Sequence, residues 1–350
     1  MRKPSPLAII LIICLITGLI SACSRSDNRT EKLHQSQLLA LGTLIDISLW
    51  DVEDTLASQA IHDIDTRLHE LHHDWHSWQA GRLHDINTAL AQGQAIELDD
   101  VELALLQQAQ QLAAQSQQLF NPAIGRLISL WGFHSDNPEG PPPEAHAIQK
   151  LLTQQPRMSD LIFSNHTLRS NNNTVQLDVG AFAKGYAIDQ AIAILQNQGI
   201  NNAIVNAGGD LRAIGRHGQR PWRIGIRHPQ QAGIIAALEI QGNESVFTSG
   251  NYERFYQYKG QRYHHIIDPR SGYPGSNTLS VTVIHANAAT ADAAATALLI
   301  AGPQHWRDIA RQMGIDQAML IDQQLTVYMT PAMAQRVQLK QNLKSIIEET

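Results

Sequence analysis

Two cysteines occur in the 350-residue chain, Cys14 and Cys23, and both lie near its start. The long body after them has no internal disulfide and no thiolate metal site, so a packed core must supply its stability. A chain of this length can bury such a core.

The leader explains where the cysteines sit. Arg2 and Lys3 form a short positive head, and residues 7–19 then run almost without a polar side chain. That run is shorter than the roughly 20 residues a helix needs to span the hydrocarbon core. A positive head, a short apolar stretch and small residues after it describe a secretory signal. Ile20-Ser21-Ala22-Cys23 resembles the lipobox cut by the lipoprotein signal peptidase. The expectation is therefore a signal peptide over 1–22, lipidation of Cys23 and a body on the periplasmic side of a bacterial membrane. Ser24 is similar to an outer-membrane sorting residue, and the competing reading is an uncleaved N-terminal anchor. Removing residues 1–22, with two basic and no acidic residues, takes the formal charge from −6 to −8. An acidic chain without basic runs is a poor partner for nucleic acid.

Residues 23–37 are polar and read as a flexible lipid-anchored tether. Residues 38–50 suit a strand or hairpin arm. Ile61, Ile64, Leu68 and Leu71 recur at three and four, which predicts a helix with one buried stripe. Residues 101–119 predict a second amphipathic helix, and the prolines of Asn137-Pro138-Glu139-Gly140-Pro141-Pro142-Pro143 predict a rigid loop. Beyond it helices are predicted over 181–198 and 289–301. Strands are predicted over 203–206, 222–227, 235–240, 245–248, 279–284 and 318–321. The pattern is one large α+β unit over 38–335, with a C-terminal tail over 336–350.

His69-Glu70-Leu71-His72-His73 matches the H-E-x-x-H zinc-protease signature. However, position 79, where a further metal-binding histidine would fall, is Gln79, and solvated helix histidines are the expected account. Other motifs are quieter. Leu177-Asp178-Val179-Gly180-Ala181-Phe182-Ala183-Lys184-Gly185-Tyr186 joins a strand end to a helix start, where free N–H groups attract phosphate. Asn206-Ala207-Gly208-Gly209-Asp210 is a second strand end. His264-His265-Ile266-Ile267-Asp268-Pro269-Arg270 gathers imidazoles, a carboxylate and a guanidinium. Asp292 and Thr296, four apart on a helix, share one face, and this oxygen-only pair suits Mg²⁺ better than zinc.

In order along the chain, these motifs resemble the ApbE family of FAD:protein FMN transferases. The resemblance takes in Leu41-Gly42-Thr43, Phe120-Asn121-Pro122-Ala123-Ile124-Gly125, Trp131-Gly132-Phe133 and Thr248-Ser249-Gly250-Asn251-Tyr252 as well. It implies a single ApbE-like, T-fold-related domain of mixed sheets and helices that binds FAD and Mg²⁺. Such a protein hands FMN to a threonine hydroxyl of a partner and releases AMP. By that resemblance the Mg²⁺ ligands are Asp292, Thr296 and the backbone carbonyl of Ala181. FAD contacts fall to Leu41, Trp78, Phe120, Asn121, Asp178, Lys184, His265 and Ile266. A threonine hydroxyl is a weak nucleophile and needs a base. His265 is the first choice, with Asp268 second, as base or as the group that orients the imidazole.

Three positions depart from the family's pattern: Leu41 for methionine, Trp78 for tyrosine and Asn251 for aspartate. Ala288-Ala289-Thr290 and Ala294-Ala295-Thr296 look like acceptor sequences but lie in the metal-site helix, so the acceptor is expected on another chain. The resemblance points to an exported loop of a membrane redox or ion-pumping complex. The alternatives are an Mg²⁺-dependent FAD pyrophosphatase and a non-catalytic flavin-binding lipoprotein.

Overall fold

The computed structural model describes residues 32–275 and 277–348. The expected signal, Cys23 and most of the expected tether lie outside the described residues. The chain enters as a hairpin of β1 (Leu33–Ala40) and β2 (Thr43–Trp50), followed by α1 (Asp54–Asp74), α2 (Arg82–Ala91), β3 (Ile96–Glu97) and α3 (Asp100–Gln115). Next come α4 (Gly125–Leu130), α5 (Ala145–Leu152), β4 (Leu161–Ser164), β5 (Thr167–Ser170) and α6 (Ala183–Asn197). Strands β6 (Ala203–Ala207), β7 (Asp210–Ile214), β8 (Arg223–Arg227), β9 (Ile234–Glu239), β10 (Glu244–Gly250), β11 (Phe255–Tyr258), β12 (Gln261–His264) and β13 (Thr278–His285) follow. The chain closes with α7 (Ala288–Gln312), β14 (Gln317–Asp322), β15 (Val327–Met329), α8 (Pro331–Ala334), β16 (Gln338–Leu339) and β17 (Ser345–Ile347).

A nine-stranded sheet in the order β1-β2-β6-β7-β10-β13-β14-β15-β17 organises the body, which is one compact unit from Leu33 on. Its pairs are antiparallel except β15 with β17. Phe247, Val281, Val283 and Leu320 face a core shared with α6 and α7. Their neighbours Val246, Ile284, Met319 and Ile321 face a second core against the small sheet β16-β9-β8. Both faces of the central strands are therefore covered, which is why β13 is buried from Thr278 to Ile284, its polar Ser280 and Thr282 included. A third apolar cluster, with Trp131, Phe133, Ile148, Tyr256 and Ile267, ties α4 and α5 to the β11–β12 hairpin. The expected α+β architecture is the one observed. Among the described residues no helix is long and apolar enough to cross a membrane.

Two boundaries differ from the sequence expectation. The polar segment read as tether gives way at Leu33, because β1 pairs along its whole length with β2, from Leu33↔Trp50 to Ala40↔Thr43. Residues 336–350 are not a plain tail: β16 pairs with β9, and β17 pairs with β15 to extend the large sheet. These edge strands are held by backbone hydrogen bonds and keep many polar side chains in water, so apolar periodicity does not reveal them.

The start of α7 is anchored from outside. Asn287 caps it by accepting from Thr290 N at 2.8 Å. Asp189, on α6, accepts from the backbone N–H groups of Ala288 and Ala289, each at 3.0 Å, and pairs with Arg212. One carboxylate thus satisfies two orphan helix donors and favours the positive end of the dipole. Asp189→Asn is expected to cost about 2–3 kcal/mol, because its new amide protons face donors. Chemical denaturation checks it, and an unchanged midpoint would refute the anchoring. The helix then runs straight to Gly302, whose φ of 71° breaks it just before Pro303.

Candidate active site

Two hairpin tips form one edge of the site. Leu41 and Gly42, at φ 54° and 71°, join β1 to β2, and Gly208 and Gly209, at φ 65° and 107°, join β6 to β7. Two-residue hairpin loops favour positive φ at both positions because this matches strand twist. The tips lie side by side, with Gly208 N–H donating to Leu44 O at 3.1 Å. A Cβ on Gly208 would sit 2.5 Å from Thr43 Oγ1, so this turn excludes a side chain. Asp210 starts β7 directly after this turn. One of its oxygens accepts from Thr248 N at 2.8 Å and the other pairs with Lys184 in the first turn of α6.

The next turn of the site is set by close approach of α6 to α7. A Cβ on Gly185 would lie 2.3 Å from the Ala288 carbonyl oxygen, so glycine alone permits this spacing. At that distance Gly185 N–H donates to Asp292 Oδ2 at 3.0 Å. Gly185 is the third residue of α6, so its N–H is one of the orphan donors of a helix start, and the Asp292 carboxylate satisfies it. Thr296, one turn beyond Asp292, places its hydroxyl 3.3 Å from Ser249 Oγ.

The charges here do not balance within the protein. Asp210 and Asp292 are buried, and both act with Glu253 on the ammonium of Lys184. Burial pushes the Asp292 carboxyl up to about 8 and Glu253 up to about 7; in each case Lys184 opposes the rise and Asp210 adds to it. Burial alone would lower the Lys184 ammonium, yet Asp210, Asp292 and Glu253 together raise it above its ordinary value. With all three carboxyls ionised around one ammonium, negative charge would be in surplus, and without a cation the raised values of Asp292 and Glu253 relieve it by protonation. With a carboxylate, a hydroxyl and a backbone carbonyl as oxygen donors, that surplus fits a hard divalent cation such as Mg²⁺.

The H-E-x-x-H stretch does not take part. His69 and His73 have side chains 57% and 73% exposed, and they pair with Asp65 and Asp74. Among the described residues no group of three or more His, Cys, Asp or Glu side chains converges as a metal cage.

An aromatic wall faces this polar end. The rings of Trp78 and His134 stack with centroids 5.5 Å apart, and the Arg254 guanidinium lies 5.2 Å from the Trp78 ring. His134 Nε2 is 2.8 Å from Asp178 Oδ2, while Asp178 Oδ1 accepts from Gly180 N at 2.9 Å. Burial would raise the Asp178 carboxyl, but His134 and the Gly180 and Ser77 hydrogen bonds hold it below the usual range. His265 Nδ1 lies 3.1 Å from the Arg254 carbonyl oxygen. A carbonyl only accepts, so Nδ1 carries the proton and Nε2 keeps its lone pair. Burial, followed by the nearby His264, Arg254 and Lys184, lowers this imidazole to about 3 against the carbonyl bond, so it is neutral at ordinary pH.

The sequence candidates divide accordingly. Lys184 and Asp292 come together, with Thr296 one turn along the same helix and Leu41 on a neighbouring hairpin tip; Ala181 lies two residues before α6, and Trp78 and Asp178 share the aromatic wall. His265 is within electrostatic reach of Lys184. Phe120 is 1% exposed and packs against Phe182, so its side chain is core. Asn121 donates to Pro156 O at 3.0 Å and accepts from Ala123 N at 3.1 Å, which shapes its own loop. Ile266 is buried. Asp268 does not orient the imidazole: its carboxylate accepts from Arg270 Nη2 at 2.7 Å and Nε at 3.0 Å. The orienting acceptor is instead the Arg254 backbone. Arg254, Glu253 and His134 were not singled out in the sequence, although each directly follows a motif that was.

Comparison with known proteins places these residues in context. The model described as "ApbE family" matches residues 41–320. A Rhodobacter capsulatus protein named FAD:protein FMN transferase is 42% identical over 297 residues, covering 85% of this chain and 57% of that protein. The chain thus spans a little over half of that relative's length. A Treponema pallidum protein of the same name is 30% identical, covering 87% of this chain and 88% of its own. Among solved structures, the ApbE protein of Thermotoga maritima superposes with a TM-score of 0.80 at 28% identity, covering 87% of this chain and 99% of that one. The apo flavinyl transferase ApbE of Pseudomonas stutzeri gives 0.73 at 26% identity, covering 84% and 92%.

Proposed function

The chain belongs to the ApbE family, and on that premise we propose that it is an Mg²⁺-dependent FAD:protein FMN transferase. The observation that carries the reading is a cluster of carboxyl groups, the buried Asp210 and Asp292 with Glu253, beside a cationic Lys184 and a neutral His265 with a free Nε2. In the reaction, the threonine hydroxyl oxygen of an acceptor bonds to the FMN phosphorus of FAD. The anhydride bond of the pyrophosphate breaks, AMP leaves with the bridging oxygen, and FMN stays on the acceptor as a phosphoester.

The residues of this chain divide that work. His265 Nε2 takes the hydroxyl proton, and the Arg254 carbonyl keeps the proton on Nδ1 so that the lone pair faces the nucleophile. Lys184 holds a phosphate oxygen, and Trp78 offers its indole to a planar ring of FAD. Asp292, the Thr296 hydroxyl and the Ala181 carbonyl would hold Mg²⁺, which when bound neutralises charge on the pyrophosphate. Thr290 and Thr296 are unsuited as acceptors, since their hydroxyls meet Asn287 and Ser249 within the fold. The acceptor is accordingly a separate exported protein, such as a subunit of a membrane redox complex. A lipid on Cys23 would confine the body near such a partner and raise their encounter rate.

The test is to incubate the mature protein with FAD, Mg²⁺ and a candidate acceptor, then seek covalent flavin fluorescence on a denaturing gel. Stoichiometric AMP without a labelled acceptor would sink the transferase reading in favour of FAD hydrolysis. His265→Ala is expected to lower transfer about 10²–10³-fold while FAD still binds. The same imidazole has a pH signature. Its folded value lies below the unfolded 6.5, so the unfolded chain binds the extra proton between about pH 6.5 and 3 and folding stability falls as pH drops through that window. His265→Ala should flatten that part of the stability profile, as read from thermal melts.

A further inference from the structure

A cavity of about 760 Å³ borders the β11–β12 hairpin. All four β12 residues, Gln261, Arg262, Tyr263 and His264, line it, whereas β11 contributes Phe255 alone. Successive residues of a strand point to opposite faces, so a cavity against one face would be lined by alternate residues. Lining by four in a row puts this cavity along the outer edge of β12. That edge pairs with no strand among the described residues, since the small sheet is β11 and β12 only. An unpaired edge offers its backbone N–H and C=O groups to an added strand.

Chain neighbours link the cavity lining to the reaction site. His264 lines the cavity and bonds Gly275 O at 2.6 Å, while the next residue, His265, turns toward Phe133 and Lys184. Asn251 and Tyr252 also line it, two and three residues after Ser249, whose hydroxyl meets Thr296. None of Leu41, Trp78, Asp178 or Lys184 is in the lining, so this space is separate from the residues assigned to FAD. Its charge is one-sided: it contains the exposed guanidinium of Arg262, stacked 4.1 Å from the Phe255 ring, and no carboxylate.

We propose that this cavity is the docking site of the acceptor polypeptide, held as an extended, acidic segment along the outer edge of β12 that delivers its threonine to His265. This rests on the transferase reading and adds where the second substrate enters and what chemistry it has. Backbone pairing would set the register, and Arg262 would select a carboxylate next to the threonine.

The experiment uses two fluorescein-labelled peptides with one central threonine, flanked by aspartates in one and by lysines in the other. Anisotropy measures binding to the mature protein and to Arg262→Glu, with in-gel flavin fluorescence read in parallel. The acidic peptide is expected to bind the native protein at least about tenfold more tightly than the basic one, and Arg262→Glu to erase or reverse that ratio. The variant's FAD affinity, measured without peptide, should stay within about twofold, since this cavity is not the FAD site. Arg262→Ala should fall between, which separates lost attraction from new repulsion. Equal binding by native protein and variant, or no binding of the acidic peptide to the native protein, overturns the docking site. Binding with the expected preference but AMP release without a labelled peptide overturns the transferase reading and leaves the docking site standing.

Discussion

Asp292→Asn is expected to lower FMN transfer by about four orders of magnitude while making the cation-free protein more resistant to heat at pH 8. The first effect follows from losing the anionic ligand of the oxygen site, where a bound divalent ion contributes several kcal/mol to a phosphoryl-type transition state. The second follows from linkage. Burial raises the folded carboxyl from 3.8 to about 8, opposed by Lys184 and reinforced by Asp210. The folded state therefore holds a proton that the unfolded chain has released, and stability falls as pH rises from about 4 toward 8. An asparagine carries no such penalty and still accepts from Gly185 N–H. The melting-temperature gain should shrink toward pH 4, where the native carboxyl is protonated in both states. With excess Mg²⁺ the order should invert, because the ion stabilises only the native site. Retained transfer, or a variant less stable than the native protein without cation at pH 8, would refute the charge surplus.

Gly185→Ala should damage fold and function together. The new methyl group would lie 2.3 Å from the Ala288 carbonyl oxygen and 2.7 Å from the Ala289 Cα, both backbone atoms that cannot rotate away. Either α6 or α7 must move, which we expect to cost more than about 3 kcal/mol. The shift also pulls Gly185 N–H from Asp292 Oδ2, so a proposed ligand loses the donor that orients it. Chemical denaturation should show the stability loss, and Mg²⁺ should no longer raise the melting temperature. Ala187→Gly on the same helix is a useful contrast. It weakens α6 by about 1 kcal/mol through propensity yet should keep the response to Mg²⁺. A Gly185→Ala protein of native stability that still responds to Mg²⁺ would show that the helix spacing is not what holds the site.

Much of this site is legible in the chain because its parts are local. Asp292 and Thr296 share a helix face by spacing, and Gly208-Gly209 mark a turn whatever surrounds them. The strands of the central sheet are readable because short stretches rich in β-branched and other apolar residues lie between turn signals. Where the sequence misled, the deciding contact was distant or directional. Asp268 is three residues from His265, but the antiparallel bridge Ile267↔Pro274 turns the chain so that its carboxylate meets Arg270 instead. The stacking of Trp78 on His134 joins positions far apart in the chain, and neither residue's neighbours announce the other.

By itself the sequence determined that the body must be stabilised by a core rather than by disulfides and that it is α+β. Those follow from composition, periodicity and short spacings, which act through neighbours in the chain. The tertiary structure alone decided that Gly185 gives its N–H to Asp292, and that the Arg254 carbonyl fixes the His265 tautomer. It also decided that β12 has no strand partner but β11 among the described residues. Each of these depends on how closely two distant segments approach, a distance set by the packing of the whole core.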